Sequence, residues 1–328
     1  MASNRRKNNA MSNGIIATVK KDIVLYGALA ANLGIGVAKF VAAGITGSSS
    51  MLTEGVHSCV DSGNQVLLLY GQHRAKRAPD EHHNFGYGRE LYFWAFVVAI
   101  LIFAVGAGVS GYEGYVHIIE PEPLSDPLIN YIVLGIAFAL EGASWGIAMK
   151  EFAHAKGGVG WWRAIRESKD PAGFIVVFED SAALAGLVIA AIGVWASHAY
   201  QDPRIDGVAS VLIGVILTAV AILLAREAKG LLIGERADPV IIAKVRGIID
   251  AYDDITAVNH VRTVHTAPDS IFVAISADFR DGVTMGDGER LIERIETELH
   301  SAIPQLSSIY IRPEREQDAP TLPKRSPR

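Results

Sequence analysis

Glu54, His57 and Asp61 follow one another at steps of three and four, so a helix carrying them sets all three on one face, and Asn64 extends that face. The stretch around them reads SSSMLTEGVHSCVDSGNQVLLLYG. A second stretch, GFIVVFEDSAALAGLVIAAIGVWA, carries Glu179 and Asp180 in its first half. One imidazole nitrogen with two or three carboxylate oxygens is a ligand set suited to Zn²⁺, and also to Fe²⁺, Mn²⁺ or Co²⁺. To bind a metal, His57 must be neutral and the acids ionised, so protons and metal compete for the same atoms. That competition alone can couple proton uptake to metal release. The alternative is that these groups satisfy one another as interhelical salt bridges or hydrogen bonds. Intramembrane acids accompanied by a histidine seldom serve packing, which favours the ligand reading for His57, Asp61 and Asp180. Glu179 points about 100° away from Asp180 on a helix and is a weaker ligand candidate. Glu54 and Glu141 are accessory candidates, whereas Asp206 and Asn32 read as helix caps or bridges.

The elements that must position these side chains are apolar and long. Half of the 328 residues are hydrophobic and the mean hydropathy is +0.26. Six apolar segments run at about 22–46, 49–72, 91–117, 128–150, 172–198 and 205–227. Several exceed the length needed to cross a hydrocarbon layer roughly 30 Å thick. Water is absent there, so the backbone must satisfy itself as helix. A lone ionised group in that layer costs roughly 2.5–3.5 kcal/mol on insertion scales, so three on one stripe imply a wet or ion-filled interior. Basic residues alternate between the linkers. Arg5, Arg6, Lys7, Lys20 and Lys21 precede the first segment, and Arg74, Lys76, Arg77 and Arg89 follow the second. Lys156, Arg163, Arg166 and Lys169 follow the fourth, and Arg226, Lys229 and Arg236 follow or end the sixth, while the other linkers are nearly free of Lys and Arg. The positive-inside rule then expects both termini in the cytoplasm.

Residues 1–21 form a polar, basic tail without the apolar core and cleavage site of a secretory signal. Residues 22–230 are read as the six-helix transmembrane domain, 237–313 as a soluble α+β domain and 314–328 as a disordered tail. In the soluble part, PVIIAKVRGIIDAYD has helical spacing, AVNHVRTVHTA and SIFVAISADF alternate like strands, and Ala267 to Asp269 fit a turn between them. GDGERLIERIETELHSAI is an amphipathic helix expected to be capped by Asp287, and Ser307 to Arg312 can form a third strand. The order α-β-β-α-β gives a small sheet with helices on one face. The single cysteine, Cys59, excludes a disulfide framework and reads as a small packing residue. A net charge of −5 argues against nucleic acid as a partner. No HExxH-type pair supports a metallohydrolase. In the loop PDEHHNFGYGRE, Asp80, His82 and His83 are metal-ligand candidates without a fourth group, and His260, His265 and His300 read as surface histidines.

GSSSMLTEGVHSCVDSGNQ, HNFGYGRE and EDSAALAGL, with a short α+β tail after six spans, resemble the cation diffusion facilitator family over about residues 20–313. The RESKDP linker and the Glu179–Asp180 pair are most similar to the branch that includes the mitochondrial zinc exporter of animals. The resemblance implies a homodimer that exchanges a divalent metal for protons by alternating access, with a tetrahedral site between spans two and five and a cytoplasmic, ferredoxin-like domain that helps dimerise. It places ligands at His57, Asp61 and Asp180, and puts Val176 where a fourth ligand is usual. Valine cannot bind metal, so Glu179, a water or a residue of another span must replace it. Asp80 and His83 match the family's loop site, but its last position is Tyr87. The positions of its cytoplasmic dimer site fall on Asn259, Ser276 and Arg312, so the tail is expected to bind no structural metal.

The expected function is therefore export of Zn²⁺ from the cytoplasm against protons, in a bacterial inner membrane. Fe²⁺, Mn²⁺ or Co²⁺ are alternative cargoes. An exporter of a small organic solute would need a roomy, aromatic-lined cavity, which the small residues of spans two and five do not favour. A membrane scaffold would leave the buried His and acids unexplained.

Overall fold

The computed structural model describes residue 29 and residues 32–319, except 122, 124, 125, 157, 159, 162, 163, 165–167 and 170. The expected tail at 1–21, the start of the first apolar segment and residues 320–328 lie outside the described residues. The chain divides into two compact units. One comprises Met1–Tyr70, Trp94–Val159 and Ala172–Arg226, and the other Gly71–Phe93, Gly160–Pro171 and Glu227–Arg328.

Among the described residues, the apolar segments lie on α1 (Asn32–Thr46), α2 (Ser49–Ala75), α3 (Glu90–Ile119), α4 (Leu128–Lys156), α5 (Pro171–Tyr200) and α6 (Arg204–Ile233). Among the described residues, four of them, α3 to α6, are long and apolar enough to cross a membrane. The described part of α1 is shorter. The 27 residues of α2 span about 40 Å at helical rise, but its polar stripe lowers the hydropathy. Helix α6 runs six residues beyond the expected end at 227. A π-helical turn, Ile102–Ala107, interrupts α3.

The first unit exposes many apolar side chains and buries polar ones beside its apolar core. On α1, Leu33, Val37, Val41 and Ile45 form an exposed stripe, while Lys39, Ala42, Ala43 and Thr46 are buried. On α2, Thr53, Glu54, His57, Ser58, Ser62 and Asn64 are buried together with Met51, Val60 and Leu68. An exposed apolar stripe over buried charged and polar groups fits a hydrocarbon surround. Cys59 is exposed on α2, contrary to the expected packing role, because the buried stripe runs along the other side of the helix.

Small residues set the helix spacing. A Cβ at Gly114 of α3 would meet the Gly207 carbonyl of α6 at 2.6 Å, and one at Gly207 would meet the Gly114 carbonyl at 2.8 Å. Such backbone approach is how membrane helices gain contact without a hydrophobic driving force. Gly47, at φ 66°, ends α1, and its N–H donates to Ala43 O at 2.8 Å. Helix α2 starts two residues later under Asp206 of α6. The Asp206 carboxylate accepts from Ser48 Oγ at 2.9 Å, from the Ser50 N–H at 3.1 Å and from Ser50 Oγ. Asp206 thus bridges helices, as its position at the head of α6 implied.

In the second unit, α7 (Pro239–Ile249), β1 (Ile255–Ala267), β2 (Ser270–Phe279), α8 (Met285–Ala302) and β3 (Leu306–Pro313) follow the expected α-β-β-α-β order. Strand β2 is central, antiparallel to β1 and parallel to β3. Ile271, Val273, Ile275 and Ala277 alternate along β2 into a core with Val245 and Ile249 of α7 and Leu291, Ile295 and Leu299 of α8. Asp238 caps α7, its side chain accepting from the Val240 N–H at 2.7 Å, with Pro239 in the first turn. Helix α8 corrects an expectation: its N-cap is Thr284, not Asp287. Thr284 Oγ1 accepts from the Asp287 N–H and donates to the Asp287 carboxylate at 2.5 Å, and the same carboxylate takes a hydrogen bond from the Thr284 backbone, which completes a capping box.

Candidate metal site

The polar stripe of α2 meets α4 and α5 at a narrow cleft. Asp61 of α2, Glu141 and Ser144 of α4, and Val176, Glu179 and Asp180 of α5 line it, and Asn32 of α1 reaches its edge. Its cavity volume is about 20 Å³, enough for about one water-sized species. Asp180 Oδ2 accepts from Ser144 Oγ at 3.0 Å, and one residue on, Trp145 Nε1 donates to Ser181 Oγ at 2.9 Å. These two bonds set α4 against α5. Glu179 Oε1 accepts from Asn64 Nδ2 at 2.6 Å, joining α5 to α2. Glu179 and Asp180 therefore line one cleft although they are neighbours in sequence.

His57 lies one helical turn before Asp61, with its Nδ1 3.4 Å from Asp61 Oδ1. Its ring is buried, and among the described residues neither ring nitrogen makes a hydrogen bond; nor does Asp61 Oδ1. Buried polar atoms without partners are uncommon and costly, so this pair holds unused ligand capacity. His57 is not among the residues that line the cleft. Among the described residues, no three His, Cys, Asp or Glu side chains are gathered closely enough to hold an ion in this conformation.

The accessory candidates Glu54 and Glu141 have a partner that sequence reasoning missed. Lys39 of α1 is fully buried and donates to Glu54 Oε2 at 3.0 Å, to Ser58 Oγ at 2.8 Å and to Glu141 Oε1 at 3.1 Å. A lysine in the middle of an apolar span demands an internal acid, and that signal was open to reading. Its partners, 15 and 102 residues away, were not. On α5, Gly186 leaves room for Glu54, whose Oε1 would collide with any side chain there.

The loop at 80–87 is closed on itself. Asp80 Oδ1 accepts from the N–H groups of His82 and His83 at 3.0 and 2.7 Å, and Asp80 Oδ2 accepts from the Tyr87 hydroxyl at 2.5 Å. The Tyr87 bond, reinforced by these amides, holds the Asp80 carboxyl down at about 2. Arg77 lies over the Tyr87 ring, 4.6 Å from its centroid. His83 stacks against the same ring at 4.3 Å and stays half exposed.

In the tail, hydrogen bonds join the positions the resemblance singled out. Asn259 Nδ2 donates to Ser276 Oγ at 3.1 Å, Ser276 Oγ donates to Glu314 Oε2 at 2.6 Å, and Arg312 pairs with Glu314 Oε1 at 3.2 Å. His265 is buried, not a surface histidine, because β1 turns it inward; burial lowers its pKa. His300 is exposed as expected.

Residues 25–233 match the cation efflux transmembrane domain, and residues 237–316 match the cation efflux protein cytoplasmic domain. The chain belongs to the cation efflux family. The family is one of membrane transporters, in keeping with the apolar helices above. Over 237 residues the chain is 30% identical to the mitochondrial proton-coupled zinc antiporter SLC30A9 of Xenopus laevis, covering 71% of this chain and 42% of that protein. It is 34% identical over 202 residues to metal tolerance protein C4 of Arabidopsis thaliana, covering 60% of this chain and 44% of that one. The cation-efflux pump FieF of Shigella flexneri serotype 5b is 22% identical over 253 residues, covering 76% and 78%. The chain spans less than half the length of the first two relatives.

Proposed function

We propose that this cation efflux protein carries a divalent metal cation, zinc first, across a membrane in exchange for protons, using His57, Asp61 and Asp180 as ligands and Glu179 as a weaker one. The observation that carries the reading is the His57–Asp61 pair on α2, whose ring nitrogens and Oδ1 make no hydrogen bond among the described residues, beside a cleft that Asp61 and Asp180 line. The cleft admits an ion and is far too small for an organic solute. The name of the Xenopus relative, a proton-coupled zinc antiporter, favours zinc among the metals that one histidine and several carboxylates suit. Fe²⁺, Mn²⁺ and Co²⁺ remain the alternative cargoes.

Carriage follows from competition. Protons arriving at His57 and the acids weaken metal binding, and their loss restores it. For alternating access, the cleft opens to one side at a time. The reading adds α1 and α2 to the four apolar helices for six spans, with both termini cytoplasmic by the distribution of Lys and Arg. It further takes the protein as a homodimer joined in part by the α+β domain, in a bacterial inner membrane. The domain division at 22–230 and 237–313 belongs to the same reading. Metal-competition uptake in proteoliposomes, with a lumenal pH probe, tests it. Zinc should accumulate as lumenal protons leave; zinc movement without a proton signal, or none at all, contradicts it.

A further inference from the structure

Glu141 belongs to two sites at once. One of its oxygens accepts from Lys39 at 3.1 Å, and its side chain lines the cleft with Asp61, Asp180 and Val176. Lys39 has no proton to spare: Glu54, Ser58 and Glu141 take all three ammonium hydrogens. One ammonium group can balance only one of two ionised carboxylates, so Lys39 is shared between Glu54 and Glu141. Of the two acids, Glu141 lines the cleft and Glu54 does not.

We propose that Glu141 is a cargo ligand, supplying the oxygen that Val176 cannot, and that Lys39 competes with the metal ion for it. This rests on the proposed function above. A carboxylate oxygen that accepts from an ammonium group is a poorer metal ligand, because both draw on the same negative charge. With the cleft empty, Lys39 holds Glu141. With a divalent ion present, Glu141 turns to the ion, and Lys39 keeps Glu54 and Ser58. Neither state leaves a buried charge alone, which would be costly. The competition also weakens metal binding, as suits an ion that must leave. Lys39 is a positioning residue: it acts on the cargo through Glu141.

Zinc chloride titrated into the purified full-length protein tests this, with zinc uptake into vesicles alongside. Lys39→Met combined with Glu54→Gln removes one charge of each sign and frees Glu141. Zinc should bind about tenfold more tightly, with KM and kcat for uptake both falling. Adding Glu141→Gln should abolish that gain. Glu141→Gln alone should weaken zinc binding about tenfold, and Glu141→Asp should restore part of it. Unchanged zinc affinity in Glu141→Gln overturns the proposal, as does a gain in the double variant that survives Glu141→Gln. A purely structural role would lower thermal stability and leave affinity alone. Wild-type protein that binds no zinc, or binds it undiminished after Asp61→Ala, would refute the proposed function itself. Binding that is lost in Asp61→Ala but indifferent to Glu141 would refute only this inference.

Discussion

Asn64 donates to Glu179 across 2.6 Å, and this buried hydrogen bond ties the helix bearing His57 and Asp61 to the helix bearing Asp180. The bond commits one oxygen of Glu179 to holding α2 and α5 together. It gives the carboxylate a structural task whatever its part in metal binding.

Asn64→Leu should therefore destabilise the folded protein by about 1–3 kcal/mol, the cost of a buried acceptor left without its donor. Replacing both partners with leucine should recover most of that loss, since no polar group is then stranded. Thermal unfolding in detergent reads both. Equal melting temperatures for wild type and Asn64→Leu would show that the bond contributes nothing.

Asp206→Ala removes the acceptor for two serine hydroxyls and one backbone amide at the start of α2. Loss of a helix cap with extra partners should cost about 2–3 kcal/mol. Asp206→Asn should cost less, because it keeps an acceptor oxygen. The same unfolding assay ranks the three proteins, and Asp206→Ala as stable as wild type would remove the capping role.

Tyr87→Phe tests the loop. The Tyr87 hydroxyl is the largest cause holding the Asp80 carboxyl at about 2, below its ordinary 3.8. A depressed acid stabilises the folded loop above the ordinary value, and that contribution is lost as pH falls through about 2. Without the phenol the carboxyl should titrate closer to 3.8, and loss of loop order on acidification should begin at higher pH. Carboxyl chemical shifts of Asp80 followed against pH report this. An unmoved midpoint would mean that the backbone amides of His82 and His83 suffice.

The tail was legible because its chemistry is local. Alternation along SIFVAISADF placed Ile271, Val273, Ile275 and Ala277 on one face before any coordinates, and the spacing of Leu291, Ile295 and Leu299 did the same for α8. Three register shifts in β1 were invisible, since bulges carry no simple residue pattern. Thr284 was passed over for Asp287 because both ends of a capping box are polar and only the backbone decides which is the cap. In the first unit, the stripe on α2 was plain from steps of three and four. Lys39 was not, because an isolated lysine reads as an interruption until its acids are brought beside it by α2 and α4. That Glu179 and Asp180 line the same cleft also required coordinates, since helical rotation separates adjacent residues.

In the proposed mechanism, Asp61 and Asp180, from two helices, jointly hold the cargo ion. Zinc uptake into proteoliposomes under an outward proton gradient, compared among wild type, Asp61→Asn and Asp180→Asn at matched protein incorporation, tests it most directly. Either substitution keeps side-chain volume and removes a negative oxygen ligand, so uptake should fall at least about a hundredfold, while each purified variant keeps the wild-type elution volume. Uptake by either variant at the wild-type rate would contradict the account.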